Sequence, residues 1–532
     1  MPTQDVSSLA AEAARERQEM LAVVEADGRS VTWGELEEEV GRIATGLGRA
    51  GLVAGMRAMV AVGNRIEFVT TYLGMLRAQI VAVPVNPRAT AGELARMIAD
   101  SGSRVVVADS ETLPSVRDAV ILLRAALAGQ TEELEADLLQ RAYQPRVYVV
   151  GESRAPGEHP YDELRAADPR PVPPLVDPEK LACLLYTSGT SGRPRAAMLT
   201  HRALIANIDQ AARVQPPMIH GDDVVLGVLP LFHVYGLNAV LGGVLRHRAK
   251  LVLVDRFDPQ ATLDLIDDEA VSVVPVAPPV FAYWLPEDHL RERLGPVRLM
   301  LSGSAPLSAE LIERFAEATG IPVHQGYGLT EASPIVTSTL CSREPENGSV
   351  GAPLPGIEIK LLDEGREPVG DDPGEIWIRG ANLFSGYWPE GDDGPDDEGW
   401  WATGDVGYLD ESGDLFLVDR LKELVIVSGF NVYPAEVEEV IREVDGVAEA
   451  AVIGVEDAIT GEVVVAYVVP ADSATSEVLA DAVRERCGER LARFKQPSRI
   501  EVVDQLPMTV TGKVQKGRLR GLERRRALGL LE

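Results

Sequence analysis

Apolar positions in the first part of this chain come in short unbroken runs, separated by stretches with helical spacing. Ala58-Met59-Val60-Ala61-Val62, Ile80-Val81-Ala82-Val83-Pro84-Val85 and Arg104-Val105-Val106-Val107-Ala108 read as buried strands. Runs of this length fit parallel strands covered on both faces. Between them, residues 65–78 and 93–101 read as helices. Ser30-Val31-Thr32 reads as the start of another, carrying Trp33 and Leu36. Gly63-Asn64 is predicted to turn the chain, with Asn64 as a candidate N-cap. A second series places strands at 224–229, 250–254, 271–276 and 298–302. This alternation predicts doubly wound α/β sheets.

The texture changes from about residue 348 to 418. Short alternating strands such as Ile357-Glu358-Ile359-Lys360-Leu361 predict an antiparallel β unit. Residues 389–399 are acidic and glycine-rich, the pattern of a mobile loop. Strand patterns at 447–453 and 463–469 predict a small α+β unit beyond Asp419-Arg420-Leu421-Lys422-Glu423. The predicted fold is therefore α/β. A large N-terminal domain, residues 1–420, holds two doubly wound α/β subdomains plus the antiparallel β unit. A small mobile α+β C-terminal domain spans 421–532. Residues 112–147 are helical in character, with no assigned role.

At 532 residues the chain is too long for one ordinary core. Its 82 acidic against 51 basic residues give a net charge of −31. That opposes a nucleic-acid partner and strong attraction to anionic lipid. Three scattered cysteines make neither a disulfide framework nor a zinc site. With no apolar leader in residues 1–17, the expected location is cytoplasmic. Residues 224–245 carry no charged side chain, but Pro230, His233 and Asn238 interrupt them. They read as a buried strand ending near Pro230 and a buried helix, not an integral membrane segment.

The densest chemistry lies in Tyr186-Thr187-Ser188-Gly189-Thr190-Ser191-Gly192-Arg193-Pro194-Arg195. Glycines let backbone N–H groups turn toward an anion, hydroxyls add donors, and arginine adds forked positive charge. No Gly-Lys-Ser/Thr closes the loop, so it is not a Walker A motif. Alone, such a loop reads more readily as a solvated turn. Five further stretches change that balance. They are Pro230-Leu231-Phe232-His233-Val234-Tyr235-Gly236, Ser302-Gly303-Ser304-Ala305-Pro306, Gly326-Tyr327-Gly328-Leu329-Thr330-Glu331, Trp401-Ala402-Thr403-Gly404-Asp405 and Thr511-Gly512-Lys513.

In order and spacing these six stretches resemble the adenylate-forming superfamily, over about residues 30 to 520. Leu491-Ala492-Arg493-Phe494-Lys495-Gln496-Pro497 is most similar to bacterial fatty-acyl-CoA ligases, with 4-coumarate–CoA ligases close by. The resemblance implies an acid–thiol ligase that uses ATP, Mg²⁺ and coenzyme A on a medium- or long-chain fatty acid. Transient membrane contact would then accompany substrate delivery. The alternatives are an aryl acid, an acyl-AMP ligase serving a carrier protein, a luciferase-like oxidase and a non-catalytic acyl-binding protein.

Site roles follow from the same resemblance. Lys513, one of only seven lysines, would bridge the acid and the α-phosphate. Thr187, Ser188, Gly189 and Thr190 would wrap the β- and γ-phosphates. Thr330 would contact the α-phosphate and Glu331 would hold Mg²⁺. Tyr327 would lie on adenine, with Gly303, Ser304 and Ala305 at its edge. Asp405, assisted by Arg420, would take the ribose hydroxyls. His233 and Tyr235 would guard the acyl pocket, lined by 224–245 and 276–284. Lys422 would be a hinge, and Gly429 would flank the thiol channel. Arg195-Ala196 departs from the usual Lys-Gly, with consequences for pyrophosphate release.

Overall fold

The computed structural model describes residues 5–527, apart from 153–154, 188–194, 306, 364, 370–371, 421–422, 424, 428–429, 458–460, 472–475, 492 and 510–511. For some others, Arg420 among them, the backbone alone is described.

Two seven-stranded sheets form the body. In the first, Glu158–Pro160, Arg146–Val150, Val105–Asp109, Arg57–Ala61, Val81–Pro84 and Leu181–Thr187 run parallel, and Arg195–Thr200 closes the edge antiparallel. In the second, Val323–Gln325, Leu299–Ser302, Val273–Val276, Val224–Gly227, Lys250–Leu253 and Leu21–Glu25 run parallel, and Ser30–Thr32 pairs antiparallel at the edge. Strand Val105–Asp109 is buried at every position, as its unbroken apolar run requires. Helix Leu113–Leu127 and the short Ala136–Leu139 fill the crossover from that strand to Arg146–Val150. Residues 112–147 thus have a structural place.

Two local expectations are corrected. Ser30–Thr32 is an edge strand, and the helix Trp33–Arg49 starts after it. Thr32 ends the strand and also caps the helix, in a reciprocal box with Glu35. Asn64 is not an N-cap, because that position belongs to Arg65. The Asn64 amide instead reaches the carbonyls of Gly227, Leu229 and Val254, while its Oδ1 accepts from Leu231 N–H at 2.9 Å. It ties the turn after one sheet to the strand ends of the other. Gly63 permits this closeness, since a Cβ there would lie 2.2 Å from Asp255 Oδ1.

A four-stranded antiparallel sheet follows, ordered Ile357–Leu362, Gly374–Gly380, Trp400–Leu409 and Leu415–Arg420. The separate small C-terminal domain builds its sheet around the paired strands Val447–Asp457 and Gly461–Pro470, with Arg499–Val502 parallel to the latter. Helices Pro434–Arg442, Ser476–Arg490 and Lys516–Ala527 accompany it. Val440, Ile441, Val452, Ala466 and Val483 supply its own core. Among the described residues, no helix is long and apolar enough to cross a membrane.

Candidate active site

Strands of the second sheet end in turns at one rim, where ligand clefts of open α/β sheets form. The four-stranded sheet and one hairpin of the C-terminal domain close over that rim. The cleft has a volume of about 760 Å³. Thr187, His233, Gly303 and Ser304 line it. So do Tyr327, Thr330, Glu331, Asp405 and Lys513. Residues from positions 187 to 513 therefore meet in one place. Ala305, next to Ser304, is half-buried and outside the cleft wall. Ser188, Gly189, Thr190, Lys422 and Gly429 lie outside the described residues, as does the side chain of Arg420.

One wall pairs a ring with a carboxylate. Tyr327 O–H donates to Asp405 Oδ2 at 2.6 Å, and both residues are buried. Asp405 does not follow a turn but lies in an irregular stretch of strand Trp400–Leu409, where Thr403 Oγ1 donates to the Ile376 carbonyl and accepts from Asp405 N–H. Tyr327 is fixed from behind, because its N–H donates to Thr337 Oγ1 and its carbonyl accepts from Val336. Gly326 and Gly328 allow that approach. A Cβ on either would stand within 2.6 Å of a carbonyl, of Thr337 and Pro334 respectively.

Thr330 and Glu331 occupy the single turn Thr330–Ala332. The Glu331 carboxylate is buried and accepts from Tyr387 O–H at 2.5 Å. Burial, then the Glu331 charge, raises the Tyr387 hydroxyl far above the usual phenol range, so it stays a donor. The Tyr387 ring faces Arg195, whose Cζ lies 3.8 Å from the ring centre. Arg195 also pairs with Asp393 at 2.8 Å. Tyr387 and Asp393 escaped the sequence reading, although Gly386-Tyr387 stands just before the acidic loop and offered a faint signal. That loop is anchored to the body: Tyr387 N–H donates to the Asp392 carbonyl and Trp401 Nε1 to that of Asp393.

His233 and Tyr235 stand where the run after Pro230 enters an eight-residue wide-turn helix, Tyr235–Gly242, which continues as Gly243–His247. Such π-type turns are rare and concentrate at functional sites. Burial first, then the positive charge of Lys513, pushes His233 down to about 4, so its ring is neutral at pH 7. A Cβ on Gly303 would lie 2.7 Å from Tyr235 Cε1, so ring and backbone are in direct contact. Beyond them an apolar arm runs past Ile208, Ala211, Met218, Ile219, Ala239 and Val240. The expected lining by 224–245 is present in part. Residues 276–284 do not line it, because Val280, Phe281 and Trp284 pack into a core with Leu263, Ile266 and Phe315.

Lys513 arrives on a tight hairpin of the C-terminal domain. Lys513 N–H donates to Thr509 Oγ1 at 2.9 Å, and Gly512 turns at φ +80°. Gly512 packs on Pro279, where a Cβ would be 2.7 Å from Cγ. Thr509 and Gln515 enter the cleft beside Lys513.

Comparison with known proteins finds two family matches along the chain. The AMP-binding enzyme family matches residues 10–388, and the AMP-binding enzyme C-terminal domain matches residues 436–513. The chain is 31% identical to 4-coumarate-CoA ligase 1 of Narcissus pseudonarcissus, covering 92% of this chain and 88% of that protein. It is also 31% identical to a long-chain-fatty-acid–CoA ligase of Bacillus subtilis (strain 168), covering 92% and 90%. Among solved structures, ATP-bound MatB from Rhodopseudomonas palustris superimposes with a TM-score of 0.85 at 32% identity, covering 97% and 98%. Apo MatB gives 0.74 at 32% identity, covering 98% and 99%.

Proposed function

The chain belongs to the AMP-binding enzyme family, and on that premise we propose that it joins a carboxylic acid to coenzyme A with cleavage of ATP to AMP and pyrophosphate. The observation that carries this reading is the meeting of Lys513 with Thr330, Glu331 and Asp405 in one cleft that continues into an apolar arm. In the first half-reaction an acid oxygen would attack the α-phosphorus, and the bond to the β-phosphate oxygen would break. In the second, a thiol would attack the acyl carbon, losing its proton, and AMP would leave.

The first half-reaction brings two anions together, so it needs cations and donors in place beforehand. Lys513 would lie between the acid and the α-phosphate, with Thr330 as a second donor there. Asp405 would accept from the ribose hydroxyls while Tyr327 presents its ring to adenine. Thr187 and the loop after it, with Arg195, would hold the outer phosphates. Keeping His233 neutral would avoid a second positive charge beside Lys513 at the mouth of the acyl arm.

Mg²⁺ fits this cleft. Among the described residues no group of three ligating side chains is present, and the buried Glu331 carboxylate would leave most of the coordination to substrate phosphates and water. Bound there, the ion would neutralise phosphate charge.

The acid would be a medium- or long-chain fatty acid, because Ile208, Ala211, Met218, Ile219 and Val240 form an apolar arm suited to a hydrocarbon tail. An aryl acid is the second reading, favoured by the Tyr235 ring at the entrance to that arm. Division at residue 420, rotation of the small domain about Lys422, and action in the cytoplasm complete the proposal. Coenzyme A thioester formation with acetate, octanoate, palmitate and 4-coumarate tests it, with pyrophosphate followed in parallel. Thioester from octanoate or palmitate supports the fatty acid, and thioester from 4-coumarate alone replaces it with the aryl acid. Pyrophosphate without thioester moves the acyl group to a carrier protein. Neither product overturns the reading.

A further inference from the structure

Arg195 is engaged on two sides by groups the sequence did not point to. Its guanidinium lies over the Tyr387 ring at 3.8 Å, and Nη2 meets Asp393 Oδ2 at 2.8 Å. The same Tyr387 donates to Glu331 at 2.5 Å. All four residues line the cleft, and Thr187 is the strand partner of Arg195. A chain of contacts therefore runs from the outer-phosphate end of the cleft to the carboxylate at its centre.

Asp393 is held in place by its surroundings. Its φ is +53°, in the left-handed region that non-glycine residues seldom occupy. Its carbonyl accepts from Trp401 Nε1 at 2.8 Å. Tyr387 N–H donates to the Asp392 carbonyl, and Gly391 N–H donates back to that of Tyr387. Phe384 packs edge-on between the Tyr387 and Trp401 rings, with centroids at 5.0 and 5.1 Å. The backbone so fixed sets where the exposed Asp393 side chain stands, and its carboxylate offers the guanidinium a resident anion whenever no phosphate is near. Arginine suits such a place better than lysine, because its plane stacks on the ring while its edges still donate.

We propose that Asp393 is a built-in competitor for Arg195, drawing the guanidinium away from the outer phosphates and so hastening pyrophosphate departure, while the Tyr387 ring keeps Arg195 aligned. This rests on the reading of the cleft as a nucleotide site. Two anions that share one cation weaken each other's hold on it, so pyrophosphate is bound less tightly than the cleft would otherwise allow. Tyr387 is a positioning residue here, acting through Arg195 and Glu331.

Calorimetric binding of Mg²⁺–pyrophosphate and Mg²⁺–ATP to the full chain tests the proposal without any need for turnover. Asp393→Asn is expected to tighten pyrophosphate binding by about two- to fivefold. Asp392→Asn removes a neighbouring exposed carboxylate and is expected to change Kd by less than about twofold. In an Arg195→Ala background, Asp393→Asn is expected to have no further effect, since the pair acts as a unit. Three results overturn the proposal: an unchanged Kd in Asp393→Asn, an equal shift in Asp392→Asn, or a shift that persists without Arg195. If the unaltered chain binds neither ligand, the nucleotide reading falls first and takes this inference with it.

Discussion

Tyr327 donates its hydroxyl proton to Asp405 Oδ2 across 2.6 Å, and both side chains are buried against the cleft. This hydrogen bond orients the carboxylate that would accept from the ribose. Asp405→Asn puts a donor amide where a two-oxygen acceptor stood, so the KM for ATP is expected to rise by about tenfold or more. Tyr327→Phe keeps the ring and the carboxylate. It should raise KM by about threefold and cost about 1 kcal/mol of stability. Acid-dependent exchange between ATP and pyrophosphate measures the first effect, and thermal melts measure the second.

Two histidines make stability depend on pH. Burial pushes both His201 and His233 down to about 4 from the ordinary 6.5, with the charge of Lys513 adding to the shift of His233. Between those values the unfolded chain takes up protons that the folded chain refuses. Stability is therefore complete above about pH 6.5 and is lost progressively as pH falls toward 4. At pH 5 the loss through His201 is about 2 kcal/mol, and through the partly exposed His233 it is less. Urea unfolding at pH 7 and pH 5 should show this drop, and His201→Gln should flatten it. An equal drop in His201→Gln would assign the sensitivity to other groups.

Much of this site was legible in the sequence because its residues sit in short loops with strong local signatures. Gly326-Tyr327-Gly328 and Thr511-Gly512-Lys513 advertise tight turns, and Gly326, Tyr327, Gly328 and Lys513 line the cleft. Side-chain partners across the fold carry no such mark. Tyr387 and Glu331 are 56 positions apart, and nothing in the periodicity of either segment joins them. Asn64 was misread for a physical reason. An Asn after a Gly suits a cap equally well as a bridge to carbonyls, and only the neighbouring sheet decides. Residues 276–284 misled similarly, since apolar character does not say which of two adjacent cores a segment faces.

Gly303 and Tyr235 form a contact with no spare room, since a Cβ on Gly303 would meet the ring at 2.7 Å. Gly303→Ala is therefore expected to push the ring into the mouth of the acyl arm. The kcat/KM for the acid should fall by about tenfold, while ATP affinity stays within about twofold. Tyr235→Ala added to Gly303→Ala removes the clash and should restore part of the loss. No recovery in the double variant would mean that the added methyl acts on the nucleotide side of the turn. Adenylate formation across acids of increasing length, with ATP binding measured separately, distinguishes these outcomes.

Lys513 enters the cleft on a hairpin fixed by Thr509 and by the packing of Gly512 on Pro279. An ammonium placed between two anions should matter for adenylation and not for attack by the thiol. Lys513→Ala is expected to slow adenylate formation by about 10²–10³-fold. Thioester formation from a supplied acyl-adenylate should fall by no more than a few-fold. The small domain would have to withdraw Lys513 before the thiol enters, and Lys422 is the proposed hinge for that movement. Proline there fixes φ near −65° and removes a donor, so Lys422→Pro should slow the thioester step more than adenylation. A pyrophosphate burst at near-normal rate, followed by slow thioester release, is the expected trace. Equal loss of both steps would mean that one arrangement of the domains serves both half-reactions, and rotation about Lys422 would then have no part in the cycle.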